Sequence, residues 1–208
     1  MSDRFDSDSG STSSVPSKGA LGSHSCAISR PLSNAYRIAL FLPIAIIWLV
    51  VDIVTKNIAN VNAVGDTFGP SIPGILEFRL VHNTGGAWGI LGDMTLLLGL
   101  VSVLICVVIA IFVFAYRDIS PLAIISLALV FAGGLGNAID RFEYGYVVDM
   151  ISTIFIDFPV FNVADIGVTC GIVLFVISII FSKDCIASDG DSGVGASSAS
   201  GRIKGKGD

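Results

Sequence analysis

The sequence predicts an all-α membrane protein: four transmembrane helices, a small extracytoplasmic β-sheet and an interfacial outer loop. Three observations carry this expectation. Hydrophobic residues make up 53% of the chain and charged residues 14%, against roughly a quarter charged in an ordinary soluble domain. The apolar residues gather into four runs of about 20, the length an α-helix needs to cross roughly 30 Å of hydrocarbon. Polar segments rich in Ser and Gly flank these runs at both ends of the 208 residues.

Residues 1–35 have too little apolar character to offset the entropy of ordering, so a disordered cytoplasmic tail is expected there. They also lack the apolar core of a cleavable signal peptide. The membrane domain is expected over 36–183, with helices at about 37–58, 95–116, 121–140 and 164–182, because lipid offers backbone amides no partner. Pro43 falls in the first turns of the first run, where a helix tolerates it best. Residues 184–208 repeat the Ser and Gly bias and read as a second disordered cytoplasmic tail.

Basic residues near the helix ends set the orientation. Arg4, Lys18, Arg30 and Arg37 precede the first run, Arg117 lies between the second and third, and Lys183, Arg202, Lys204 and Lys206 follow the fourth. Both termini are therefore expected in the cytoplasm, with segments 59–94 and 141–163 outside. Residues 75–83 alternate polar Glu77 and Arg79 with apolar Phe78 and Leu80, the pattern of a half-buried strand. Residues 146–161 are apolar and aromatic enough to lie in the membrane interface.

The net charge of −5 comes largely from aspartates in the tails, and no basic patch points to nucleic acid. Cys106 and Cys170 lie in apolar runs as small hydrophobes, so no disulfide framework is expected. With His24 and His82 as the only histidines and no C-x-x-C pair, neither a metal site nor a cofactor is expected.

Ionisable residues within a span cost about 2.5–3.5 kcal/mol at a helix centre, so each calls for a reason. Asp52 and Lys56 stand near the outer end of the first helix, spaced to pair along one face. Gly133, Gly134 and Gly136 would let helices approach closely. Asn137 and Arg141 follow at the outer end of the third helix, spaced either to bridge loops or to meet a substrate. Asn162 reads as the N-cap of the fourth helix, with Asp165 bonding back as in a capping box. Asn83 and Asp149 lie in the outer segments, and the expected topology brings all of these to one membrane level. His82 reads as a strand-end residue.

Two carboxyl groups a few ångströms apart cannot both ionise cheaply and therefore share a proton. The ionised member can take a proton from attacking water while its partner polarises a peptide carbonyl. Asp149 and Asp165 are the pair placed for this chemistry.

Five ordered motifs within residues 40–182 carry a family resemblance: Asp52 to Lys56, Asn83 to Ala87, Gly133 to Arg141, Val148-Asp149, and Phe161-Asn162-Val163-Ala164-Asp165. Together they resemble the lipoprotein signal peptidases, or type II signal peptidases. The resemblance implies an aspartic endopeptidase with Asp149 and Asp165 as its dyad. It further implies that Asp52, Lys56, Asn83, Gly136, Asn137, Arg141, Asn162 and Ala164 build or line the site. The implied substrate is a diacylglyceryl prolipoprotein, cut on the amino side of the lipidated cysteine. The implied place is the bacterial cytoplasmic (inner) membrane, with the site at the outer leaflet, membrane lipid as neighbour and a monomer as the working unit. Two residues depart from the family pattern: Met150 follows Asp149 and Trp88 stands where Phe is usual, both apolar and both bearing on substrate packing. A proton-coupled transporter is the alternative, but it would place polar groups near the midplane and often carries internal repeats.

Overall fold

The computed structural model describes residues 32–86, 91–116 and 118–190, with side chains as far as Phe181. The elements run α1 (Asn34–Ala59), β1 (Leu76–Asn83), α2 (Thr95–Ala115), α3 (Pro121–Glu143), β2 (Val147–Thr153) and α4 (Val163–Gly190). All four helices are long and apolar enough to cross a membrane.

Ser33 starts α1 by accepting a hydrogen bond from the Tyr36 amide at 3.2 Å. The helix begins three residues earlier than expected, so Pro43 falls well inside it, yet the helix continues unbroken to Ala59. Ser120 caps α3 in the same way, its hydroxyl accepting from the Ala123 amide at 3.1 Å with Pro121 in the first turn, where its missing N–H costs nothing. α4 outruns its expected end: 184–190, read from the sequence as tail, continue the helix. The remainder of both expected tails, Arg117, and Ala87 and Trp88 lie outside the described residues.

α3 is the hub. Over its most apolar 18-residue stretch 56% of residues are buried, against 17–22% in the other spans. It packs on α1, α2 and α4, which touch one another far less. Gly133 and Gly136 make this possible, because a methyl group would collide with the Ala164 carbonyl at the first and with the Asp52 carboxylate at the second. Phe41, Val113, Ile124 and Ala128 form the middle of the bundle core.

Arg37 behaves differently from a flanking charge. It is fully buried and donates to the Val113 and Phe114 carbonyls at 3.2 and 3.5 Å, satisfying acceptors at the carboxyl end of α2. The arginine thereby clamps α1 to α2.

At the other end of the bundle β1 and β2 form an antiparallel pair. Phe78 faces Ile151 and Val81 faces Asp149, so Arg79 and Leu80 oppose Met150 alone and make a one-residue bulge. Only β1 was legible as a strand. β2, within the segment read as an interfacial loop, is buried along most of its length and so lacks the alternation that marks a half-buried strand. Short bridges cover both edges: Thr67 pairs with Arg79 and Ile151 with Phe161.

Candidate active site

Asp149 is held on β2, 2% exposed. Its Oδ2 accepts from the Asn83 side-chain amide at 3.0 Å, and its Oδ1 accepts from that of Asn162 at 2.7 Å. Asn83 reaches it as a diagonal cross-strand neighbour on the same face, since it lies two pairs along from Val81, which is the direct partner of Asp149. Burial pushes the Asp149 carboxyl up to about 7, and the neighbouring Asp165 charge adds to the rise.

Asp165 stands in the first turn of α4. The Asn162 and Asp165 side chains cap each other's backbone: Asp165 N–H donates to Asn162 Oδ1 at 3.0 Å and Asn162 N–H to Asp165 Oδ2 at 3.1 Å. The expected capping box is therefore present, and it leaves Asp165 Oδ1 to accept from the Asn137 amide at 2.8 Å. One carboxylate thus starts a helix and faces the site. Asn162 Nδ2 also donates to Asn137 Oδ1 at 3.0 Å, so two asparagines tie the carboxylates into one network.

Behind them lies a buried ion cluster. Lys56 Nζ is 2.8 Å from Asp52 Oδ2, 3.0 Å from Asp140 Oδ2 and 2.9 Å from Asn137 Oδ1. Asp52 Oδ1 accepts from the Ala164 amide at 2.8 Å, so a residue of α1 caps α4 from outside the helix. The expected i, i+4 pair of Asp52 and Lys56 is present, but its reach into α3 and α4 was not legible locally. Asp140 has a second task, accepting from Val148 N–H at 3.1 Å and fixing the start of β2. It stands within the Gly133–Arg141 motif, yet nothing in that motif singles it out.

Arg141 bridges as expected, donating to the Asn137 carbonyl at 3.1 Å and to the Gly85 carbonyl at 3.2 Å. Trp48 was missed: its indole N–H donates to the Val163 carbonyl at 3.1 Å, with Gly167 leaving room for the ring. His82 bonds through Nε2 to Asn60 Oδ1 at 3.1 Å and stacks on Tyr146 at 3.8 Å, in keeping with a structural strand-end residue. Met150 packs with Ala59, Leu80 and Val148 beneath the sheet, away from the pocket, so its departure from the family pattern does not bear on substrate packing there.

The carboxylates open onto a cavity of about 460 Å³ lined by Asn83, Asn137, Arg141, Asp149 and Asp165, with Phe158 to Phe161 and one face of α4 completing the wall. Of the expected site residues, Asp149, Asp165, Asn83, Asn137 and Arg141 reach this cavity. Asp52, Lys56, Gly136, Asn162 and Ala164 stand behind them and hold them.

Four membrane-length helices carrying buried carboxylates beside an open, largely apolar pocket define a polytopic membrane protein built around an acidic site. Residues 44–181 match the family model of signal peptidase (SPase) II. The lipoprotein signal peptidase of Lactobacillus johnsonii is 37% identical over 147 residues, covering 70% of this chain and 95% of that protein. That of Clostridium acetobutylicum is 43% identical over 118 residues, covering 55% of this chain and 77% of that one. A bacterial membrane enzyme solved by the in meso method at 2.3 Å resolution superposes with a TM-score of 0.63 at 31% identity, covering 81% of this chain and 98% of that one. The chain belongs to the signal peptidase II family, and it is a membrane peptidase.

Proposed function

We propose that this peptidase removes signal peptides from prolipoproteins, cutting on the amino side of a cysteine that carries diacylglycerol, with Asp149 and Asp165 as its catalytic dyad. The observation that carries the mechanism is the coupling of the two carboxylates: Asp149 is buried and raised to about 7, partly by Asp165, and Asn162 and Asn137 bridge the pair.

Below about pH 7 Asp149 carries the shared proton and polarises the scissile carbonyl. Asp165, at the amino end of α4, takes a proton from water as the oxygen attacks. A tetrahedral intermediate forms, and the C–N bond breaks as the leaving amine receives a proton from the dyad. Water is thereby divided between the new carboxyl group and the new amine. Asn83 and Asn162 fix Asp149, and Asn137 fixes Asp165, so both reach the transition state without reorganising. The basic residues expected near the helix ends support cytoplasmic termini and a site at the outer leaflet of the bacterial cytoplasmic membrane, where a lipid-bearing substrate would arrive from the side. A monomer suffices, because one chain supplies every group named. A transporter fits less well, since the charged cluster gathers at one end of the bundle.

The test is cleavage of a lipidated precursor by purified enzyme in detergent. Asp149→Asn and Asp165→Asn should each lower the rate by about three orders of magnitude or more while retaining wild-type thermal unfolding behaviour within a few degrees. Activity retained by either variant removes that residue from the mechanism, and cleavage of an unlipidated precursor at the same rate overturns the substrate assignment.

A further inference from the structure

A second cavity, of about 230 Å³, lies on the seam between α1 and α3, whereas the dyad cavity opens between α3 and α4. Along α1 its wall passes from Ile53 to Asn57 and Asn60, and along α3 from Ile139 to Glu143, with Tyr144 at the rim. Spacings of three and four residues keep each row on one helix face. The cavity is thus apolar toward the middle of the bundle and polar toward its end. Lys56 and Asp140 also line it. Asp140 gives its Oδ2 to Lys56 at 3.0 Å and to the Val148 N–H at 3.1 Å, while its Oδ1 accepts from no described residue. Asp140 is 5% exposed, so the donor that oxygen needs has to come from within the cavity.

Lys56 also engages Asp52, so the lining sets the carboxylates of Asp140 and Glu143 against a single shared ammonium. Such a lining attracts a cation and repels an anion. Glu143 is hydrogen-bonded to Tyr144. The Tyr144 ring stacks on Tyr146 at 5.7 Å, and Tyr146 stacks on His82 at 3.8 Å, which braces an aromatic face of the kind that attracts ammonium groups. Among the described residues Asn57 makes no side-chain hydrogen bond, and Asn60 uses only its Oδ1, on His82. Two carboxamide nitrogens are therefore left as donors. A ligand that carries an ammonium and, a few atoms away, acceptor oxygens meets both demands. Val50 and Val54, both exposed, precede Asn57 on the same row of α1, so apolar helix surface leads up to the polar rim.

We propose that this cavity holds the headgroup of an ethanolamine phospholipid, with its primary ammonium donating to Asp140 Oδ1 and Glu143 and its phosphate accepting from Asn57 and Asn60. The acyl chains follow Val54 and Val50 along α1 into the bilayer. A choline headgroup has no N–H to offer Asp140. A glycerol headgroup brings the phosphate charge to two carboxylates with no ammonium to offset it. Occupancy does not depend on the reaction assigned to the dyad.

Thermal unfolding of the full chain in detergent tests this, with phospholipids of identical acyl chains added at equal concentration. Phosphatidylethanolamine should raise the midpoint by about 3 °C or more, because a ligand of the native state alone stabilises it. Phosphatidylglycerol and phosphatidylcholine should move it by less than about 1 °C. Glu143→Gln and Asn57→Leu, both at exposed positions of the rim, should each cut the ethanolamine shift by about half or more. Equal shifts from all three lipids, no shift from any, or a full shift kept by either variant overturns the site. Mass spectrometry of the chain released from detergent gives a reading independent of stability: the wild type should retain ethanolamine lipid and the variants should lose it. Undiminished retention by the variants overturns the site as well. O-phosphoethanolamine, which has no acyl chains, should leave the midpoint unchanged at the same concentration. A full shift from it would assign the cavity to a soluble amine and overturn the lipid.

Discussion

At the scale of single residues, Asp149 gives the clearest physical signature. Its carboxyl is raised from 3.8 to about 7, first by burial and then by Asp165. A raised folded-state value means that the native protein holds a proton the unfolded chain has released between those limits. Its stabilising contribution is therefore complete below about pH 4 and is lost as pH climbs through about 7. Thermal unfolding in detergent between pH 5 and 8 should show stability falling with pH, and Asp149→Asn should abolish that part of the slope. Cleavage should follow the same proton: if Asp149 is the member that polarises the carbonyl, the rate falls as pH rises past about 7. A rate flat to pH 9 would assign the proton elsewhere. The two carboxylates were legible in the sequence because ionisable residues in apolar surroundings stand out. The asparagine bridges between them were not, since those depend on α3, β2 and α4 meeting.

At the scale of elements, the approach of α3 to α1 and α4 is set by glycines, and the two contacts differ in kind. A methyl at Gly133 meets the Ala164 carbonyl, which is backbone and cannot step aside. At Gly136 it meets the Asp52 carboxylate, a side-chain end pinned by Lys56 and the Ala164 amide. Overpacking costs about 1–3 kcal/mol. Gly133→Ala should therefore lower the unfolding temperature more, by forcing helices apart, whereas Gly136→Ala should lower activity more, by displacing the group that caps α4. Equal effects of the two variants on both readouts would refute this division. Four helices and one strand were readable because length and alternation are local properties. β2 was not, because burial on both faces erases its period. Arg37 and Trp48 were likewise hidden, since their acceptors lie in α2 and at the start of α4.

At the scale of the whole molecule, Lys56 is the point where α1, α3, β2 and α4 are tied together. It pairs with both Asp52 and Asp140, whose side chains are 0% and 7% exposed, while its own is 4% exposed. Asp52 in turn holds the start of α4, and Asp140 holds the start of β2. Removing one partner from a buried ion group leaves charge uncompensated and costs about 3–5 kcal/mol, whereas replacing the whole group by neutral residues is often nearly neutral. Lys56→Met alone should therefore destabilise the protein by about that amount. The triple variant Asp52→Asn, Lys56→Met, Asp140→Asn should recover much of the loss, because it leaves no stranded carboxylate. Activity should not recover with stability, since Asn137 loses the ammonium that positions it against Asp165. If stability and activity return together, the cluster is scaffold alone. If neither returns, the cost of Lys56→Met comes from packing and not from charge.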